Sequence, residues 1–324
     1  MTEPSSLPDV SCETESAFGM SVPWRVPAFS AGAGVLAEHV PLADPAFRFE
    51  PAICRALLAG FAHNRRVYLY GPHGSGKSSH IEQIAARLNW PCVRINLDGH
   101  VTRADLVGRD MVLLREGRQV TEFVPGMLVW ALQHPVALVL DEYDAGRPDV
   151  MFVIQRLLES NGRLTLLDQN RVITPHPGFR LFATANTAGQ GDASGLYVGT
   201  QPLNQSQMDR WDIVAELGYL PAEQETAILL AQLPELGEQR AQRMVSLAGL
   251  CREAFRQSDL STLLSLRGLL SWGQNWRLLG DDGEAFRWAF WNRCDETERP
   301  LVAELYQRCF AEELGGPLPE HGGA

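Results

Sequence analysis

The sequence predicts an α/β protein: a parallel sheet of five strands flanked by helices, followed by an all-helical segment. Short β-branched and aromatic runs alternate with amphipathic helical stretches between residues 51 and 217. The first strand–turn–helix unit carries the spacing Gly71-x4-Gly76-Lys77-Ser78, and beyond Pro221 the apolar periodicity is helical throughout. Strand alternating with helix implies parallel neighbours, because a parallel pair needs a crossover long enough to return the chain to the same end of the sheet.

The first unit carries the chemistry. Val67-Tyr68-Leu69-Tyr70 suits a short buried strand, and Gly71, Pro72, Gly74 and Gly76 interrupt regular structure. Ile81, Ile84, Ala85 and Leu88 then fall on one face of a helix starting near Lys77. A strand before and a helix after distinguish a phosphate-binding loop from a chance glycine-rich turn. The expected nucleotide contacts are Gly71, Pro72, His73, Gly74, Ser75, Gly76, Lys77, Ser78 and Ser79. Glycines let successive backbone N–H groups turn toward phosphates, and the helix N-terminus adds partial positive charge. Lys77 is expected to reach the β- and γ-phosphates of ATP, with the Ser78 hydroxyl on Mg²⁺.

Composition narrows the partners. At 324 residues and 45% hydrophobic content, the chain has material for about two domains. A net charge of −11 and a pI near 5.2 argue against a general affinity for nucleic acid or anionic membranes. The six cysteines show no C-x-x-C pair or zinc-ligand spacing, so reduced, buried thiols are expected. The first residues show no basic segment followed by an apolar one, and no apolar run approaches the roughly twenty residues of a membrane span. The expectation is a cytoplasmic protein.

In chain order, residues 1–25 read as a flexible tail and residues 26–50 show no clear periodicity. Residues 51–63 read as a helix with Pro51 in its first turn. After the loop's helix, Asn89-Trp90-Pro91 stops the pattern and residues 92–95 form a second strand. Residues 111–123 read as a hairpin about Arg115-Glu116-Gly117-Arg118, and residues 127–132 as a helix ended by His134-Pro135. Val136 to Leu140 is a near-continuous apolar strand that delivers Asp141 and Glu142 to its carboxyl end, the side where an open α/β sheet binds ligands. Asp141 is the candidate Mg²⁺ partner and Glu142 the candidate to orient and activate the attacking water. Seen alone, Asp-Glu after an apolar strand is more often a solvated turn; beside the phosphate loop the balance reverses toward function.

Residues 148–159 read as a helix stopped by Ser160-Asn161-Gly162, and residues 163–167 with 171–174 as a second hairpin. Residues 180–183 are a fourth strand. Asn186 follows its end, placed either to contact the γ-phosphate or water or simply to form a turn. A glycine-rich loop at residues 189–199, then Gln207-Met208-Asp209-Arg210-Trp211, precede the fifth strand at residues 213–217. Helices are expected at 222–233, 236–257, 261–279, 284–292 and 296–313. The boundaries are thus a tail at 1–25, a nucleotide-binding domain with an N-terminal extension at 26–220, a helical domain at 221–315 and a disordered tail at 316–324.

These residues together resemble an AAA+ P-loop ATPase with a helical lid: the loop, Leu138-Val139-Leu140-Asp141-Glu142, Asn186, and Asp209-Arg210-Trp211. More narrowly, the runs at 60–66, 88–94, 141–149 (Asp-Glu-Tyr-Asp-Ala-Gly-Arg-Pro-Asp), 182–187 and 306–310 resemble the CobS family of aerobic cobaltochelatase subunits, within the magnesium-chelatase and MoxR-like clade. The match runs over residues 18–314. It implies a homo-oligomeric ring, a hexamer in this reading, with ATP and Mg²⁺ between subunits. Asn186 becomes the sensor-1 residue, Arg210 the finger donated to the adjacent γ-phosphate, and Arg267 the lid sensor-2 arginine. The family has Ser-Pro-Arg at the last position where this chain has Ser265-Leu266-Arg267, so the resemblance leaves open where Arg267 acts. The hairpins at 111–123 and 163–174 match inserts of the clade.

The implied partners are a CobT-like von Willebrand subunit with a MIDAS site and a large CobN-like chelatase subunit. Together they would insert cobalt into hydrogenobyrinic acid a,c-diamide in cobalamin (vitamin B12) biosynthesis. A MoxR-like chaperone that matures another metalloenzyme shares the core motifs and is the alternative. Acidity disfavours a nucleic-acid motor, and a small-molecule kinase leaves Arg210 and the helical lid without a role.

Overall fold

A computed structural model describes residues 7–31, 36–159, 162–191 and 199–314. The expected stop at Ser160-Asn161, most of the 189–199 loop and the C-terminal tail lie outside these residues. The chain divides into two compact units. The first comprises Met1–Pro45, Phe49–Pro72 and Gly76–Gly218, the second Ala46–Arg48, His73–Ser75 and Tyr219–Ala324.

In the first unit, helix α1 (Pro51–His63) leads into strand β1 (Val67–Tyr70), then α2 (Lys77–Arg87) and β2 (Cys92–Asn96). A hairpin of β3 (Gly108–Arg115) and β4 (Arg118–Pro125) follows, then α3 (Met127–Leu132), β5 (Ala137–Asp141) and α4 (Pro148–Gln155). A second small hairpin, β6 (Leu164–Leu166) and β7 (Arg171–Ile173), precedes β8 (Arg180–Ala185) and β9 (Ile213–Glu216). The five long-range strands form one parallel sheet in the order β9-β1-β8-β5-β2.

The central strands are buried on both faces, which is why they read as continuous apolar runs. Side chains alternate between two cores: Tyr68, Leu138, Leu140, Leu181 and Ala183 enter one. Val67, Leu69, Ala137, Val139 and Phe182 enter the other, with Leu57, Phe61, Ile81 and Ile84 of α1 and α2. Helices α3 and α4 cover the first face through Leu128, Leu132, Val150 and Ile154. Burying such side chains contributes ~1.5–3 kcal/mol each, enough to hold the strand ends in fixed register.

One expectation fails. Residues 7–25 are not a flexible tail: Val10–Ser11 pairs antiparallel with Pro27–Ala28, Thr14–Phe18 is helical, and Phe18, Val26, Ala28 and Phe29 are buried. Phe29 packs edge-on against Trp90 at 5.0 Å. Polar residues dominate this segment, but its few apolar side chains dock onto α1 and α2, and tertiary contact overrides the composition. The cysteines are free, yet Cys12, Cys92 and Cys309 are only half-buried.

The second unit contains α5 (Ala222–Gln232), α6 (Glu238–Arg256), α7 (Leu266–Leu279), α8 (Asp282–Ala289) and α9 (Arg299–Phe310). Its core gathers Leu229, Met244, Leu247, Cys251, Leu269, Trp272, Phe286, Phe290 and Tyr306. α7 starts five residues later than the periodicity predicts, because Ser265 is the N-cap and accepts from the Gly268 N–H at 3.3 Å. Among the described residues no helix is long and apolar enough to cross a membrane.

Candidate functional site

The phosphate loop joins the carboxyl end of β1 to α2. Gly71 has φ +150, and a Cβ there would fall 2.0 Å from the Leu217 carbonyl, since the chain of β9 continues alongside β1 and the Leu217 N–H donates to the Tyr70 carbonyl at 2.8 Å. Glycine is therefore demanded by the neighbouring strand as well as by any ligand. Gly74 and Gly76 have φ +74 and +92, values an L side chain rarely adopts. Gly76 is the N-cap of α2 and offers no side chain, so the first N–H groups of the helix stay available to an anion.

Lys77 is buried, and its ammonium donates to the carbonyls of Gly71 at 2.8 Å and Pro72 at 3.0 Å and to Asn186 Oδ1 at 3.2 Å. Burial pulls its pKa down to about 8 against the opposing pull of Asp141, Asp144 and Glu142. The Ser78 hydroxyl donates to Asp141 Oδ1 at 2.9 Å, so the two expected metal ligands already face each other. Asp141 ends β5. Its Oδ1 also accepts from Thr184 Oγ1, and its Oδ2 lies 2.7 Å from Arg94 Nη2. Glu142 follows in the left-handed region at φ 54, ψ 43, a strained conformation for a residue with a side chain.

Asn186 follows β8, and its placement depends on Asp144. Asp144 Oδ2 accepts from the N–H groups of Asn186 at 3.1 Å and Thr187 at 2.9 Å and from Thr187 Oγ1 at 2.9 Å, while the whole side chain is buried. Thr187's carbonyl in turn accepts from Tyr68 Oη at 2.9 Å. Tyr68, Tyr143 and Trp211 pack together beneath, with Tyr143 and Trp211 perpendicular at 5.2 Å.

The sequence reading missed Thr184, Asp144 and Arg94 as site residues. Arg94 left a signal, a charged residue inside an otherwise apolar strand. Asp144, two places past Glu142, left none that separates it from a surface carboxylate.

The loop fits a phosphate chain. Ser75 Oγ is buried without a hydrogen-bond partner, and such an orphaned hydroxyl implies a missing polar ligand. One carboxylate and one hydroxyl side by side form a hard-oxygen set suited to Mg²⁺, which takes few protein ligands and completes its shell with phosphate and water.

Hydrogen bonds thus pair Lys77 with Asn186 and Ser78 with Asp141, Glu142 follows Asp141 in the chain, and Arg210 stands apart from all of them. It precedes β9, at the amino end of the sheet, whereas the loop leaves the carboxyl end of β1; Ile213 pairs with Val67. Its guanidinium donates to the Ser206 carbonyl, and among the described residues no carboxylate lies within ion-pair distance. Arg267, in the first turn of α7, belongs to the second unit and is exposed. In that unit Tyr219 Oη donates to the His73 carbonyl at 3.0 Å, and Arg252 stacks on the Tyr219 ring at 4.2 Å.

The AAA domain (dynein-related subfamily) matches residues 66–197. The aerobic cobaltochelatase subunit CobS of a Sinorhizobium species is 57% identical over 314 residues, 96% of this chain and 93% of that protein. Midasin of Dictyostelium discoideum is 32% identical over 145 residues, 45% of this chain and 2% of that protein. Among solved structures, a putative ATPase from Cytophaga hutchinsonii aligns with a TM-score of 0.44 at 15% identity, covering 84% of this chain and 82% of that one. A mutant of Thermotoga maritima RuvB has a TM-score of 0.44 at 14% identity, over 74% of this chain and 62% of that one.

Proposed function

The chain belongs to the CobS family of aerobic cobaltochelatase subunits, and on that premise we propose how its residues bind and hydrolyse ATP and what that hydrolysis drives. The observation that carries the reading is the convergence of Lys77, Ser78, Asp141 and Asn186 just beyond three adjacent parallel strands. The chain is an ATP-hydrolysing AAA+ subunit of a multi-subunit enzyme.

The loop N–H groups and the start of α2 hold the phosphates. Lys77, buried and weakly screened, places its charge against the β- and γ-phosphates. Mg²⁺ held by Ser78 and Asp141 would neutralise charge building on the phosphate oxygens. Glu142 accepts a proton from the attacking water, and Asn186, aimed through Asp144, lies beside Lys77 to contact the γ-phosphate. Arg210 serves the nucleotide of the adjacent copy in a ring, a hexamer by the family resemblance. Its place at the amino end of the sheet supports this reading, because its own phosphate loop opens at the other end. By the family resemblance Arg267 is the lid arginine, acting either on its own nucleotide or on a neighbour's.

Hydrolysis then drives a separate chelating subunit, with a von Willebrand-type subunit as intermediary, to insert cobalt into hydrogenobyrinic acid a,c-diamide. Two experiments test the reading. Glu142→Gln retains ATP but hydrolyses it very slowly, whereas Lys77→Ala loses binding; near-normal turnover in the glutamine variant removes Glu142 from its role. Arg210→Ala lowers kcat by about 10³ to 10⁵, and mixing it with Lys77→Ala subunits restores part of the activity. Absence of rescue overturns action across the interface.

A further inference from the structure

We propose that Arg65, in the turn between α1 and β1, is a second cation that each copy lends to its neighbour's nucleotide. The inference rests on the reading of Arg210 as the donated arginine.

Arg65 and Arg210 come from segments far apart in sequence, yet they line one open pocket of about 1020 Å³ with Arg66, Glu159, Asp209 and Asp212. The pocket lies at the amino ends of β1 and β9: Arg65 and Arg66 precede Val67, Asp212 precedes Ile213, and Ile213 N–H donates to the Arg66 carbonyl at 3.1 Å. The chain's own phosphate loop begins at Gly71, past the opposite end of β1. At ~3.3 Å per strand residue it starts roughly 20 Å away. Neither arginine can serve the nucleotide of its own loop, and a phosphate approaching Arg210 enters the pocket that Arg65 also lines.

The two arginines of the turn are committed to different degrees. Arg66 is built into the fold: its backbone N–H donates to Asp212 Oδ2 at 2.8 Å, its Nε lies 3.4 Å from the same oxygen, and its Nη1 donates to the Leu158 carbonyl. Among the described residues Arg65 holds only Asp212 Oδ1, at 3.4 Å, and about half of its side chain is exposed. A half-exposed ion pair at that distance is weak. A phosphate oxygen offers the planar guanidinium a shorter, charge-assisted and bidentate partner. Asp212 thus parks Arg65 at the pocket until a neighbouring copy presents its nucleotide. Among the described lining residues three arginines face three carboxylates, with His63 beside them, so the pocket carries little surplus charge to trap free phosphate.

The test is steady-state ATP hydrolysis by assembled rings of Arg65→Ala, alone and mixed with Lys77→Ala, beside the Arg210→Ala and Lys77→Ala mixture. A charge-assisted contact made as the γ-phosphate leaves predicts a fall in kcat of about tenfold or more, with KM for ATP changed less than about threefold. Mixing should recover activity, because Lys77→Ala subunits still donate an intact Arg65. Arg65→Lys, which keeps the charge and the Asp212 pairing, should fall between and replaces Arg65→Ala in the mixture if the alanine variant does not assemble. Unchanged kcat in assembled rings, or a loss that mixing does not rescue, overturns the proposal. Rescue of Arg210→Ala without rescue of the Arg65 variant defeats this inference alone; failure of the Arg210 mixture in assembled rings defeats the finger assignment and, with it, the inference that rests on it.

Discussion

At the scale of single residues, Asp144 shows how a buried carboxylate can organise a site without facing the reaction. Three donors from Asn186 and Thr187 converge on its Oδ2, while Oδ1 is buried without a partner. Asp144→Ala leaves two N–H groups and a hydroxyl unsatisfied at the end of β8, a loss of about 1–3 kcal/mol for each group that stays buried. Nucleotide binding, which depends on Lys77 and the loop, should persist while kcat falls, because the Asn186 backbone is no longer pinned. Asp144→Asn keeps an acceptor oxygen and should recover much of the loss. Nucleotide titration beside turnover measurements separates the two effects; equal loss of both would make Asp144 a folding residue only. Gly71→Ala should lower stability whatever ligand is present, since its Cβ would run into the Leu217 carbonyl. Thermal melts with and without nucleotide check this.

At the scale of elements, the helical unit contains a buried ion pair. Glu225 of α5 and Arg252 of α6 meet at 2.9 Å, with side chains 2% and 7% exposed, and Arg252 Nε also donates to the Leu264 carbonyl at 2.8 Å. Burial raises the Glu225 carboxyl above its ordinary value despite the pull of Arg252. The folded chain therefore holds that proton more tightly than the unfolded chain. This group's contribution to stability is full below about pH 4.5 and declines as pH rises through the folded value. Glu225→Ala strands the Arg252 charge and should cost about 3–5 kcal/mol. Glu225→Gln keeps a hydrogen-bond acceptor and removes the titration. Urea unfolding from about pH 4.5 to 7 should show the wild-type slope flattened in the glutamine variant; parallel slopes would mean that Glu225 does not titrate there.

At the scale of the molecule, the loop, Ser78 with Asp141, Glu142 and Asn186 sit beyond the carboxyl ends of the strands, and Arg65 and Arg210 sit at the amino ends. On the function proposed above, a ring that repeats one contact would join these ends in every interface, so turnover per subunit should rise with protein concentration through the assembly range. ATPase activity plotted against the assembled fraction checks this; constant specific activity in the dilute monomer would exclude shared sites. With the large chelatase and von Willebrand-type subunits added, cobalt insertion should require ATP and fail with Glu142→Gln. Insertion independent of ATP would remove this chain from the power stroke.

Much of this was legible in the residues alone, because some features are local. The loop spacing, the apolar run ending in Asp141 and the helical periodicity after Pro221 are set by nearest-neighbour chemistry, and the sheet strands lie within a residue or two of their predicted bounds. The strand order β9-β1-β8-β5-β2 was not legible, because pairing between distant segments leaves no periodic trace in either one. Nor was the docking of residues 7–31, which depends on a surface built by α1 and α2. The sequence determined the phosphate-loop spacing, the strand that delivers Asp141 and Glu142, and the AAA+ family to which the chain belongs. Only the tertiary structure decided that Asp144 pins Asn186, that β9 as well as a ligand demands glycine at 71, and that Arg65 joins Arg210 at the end of the sheet its own nucleotide does not reach. Each of these is a contact between segments tens of residues apart, fixed by burial on both faces of the sheet.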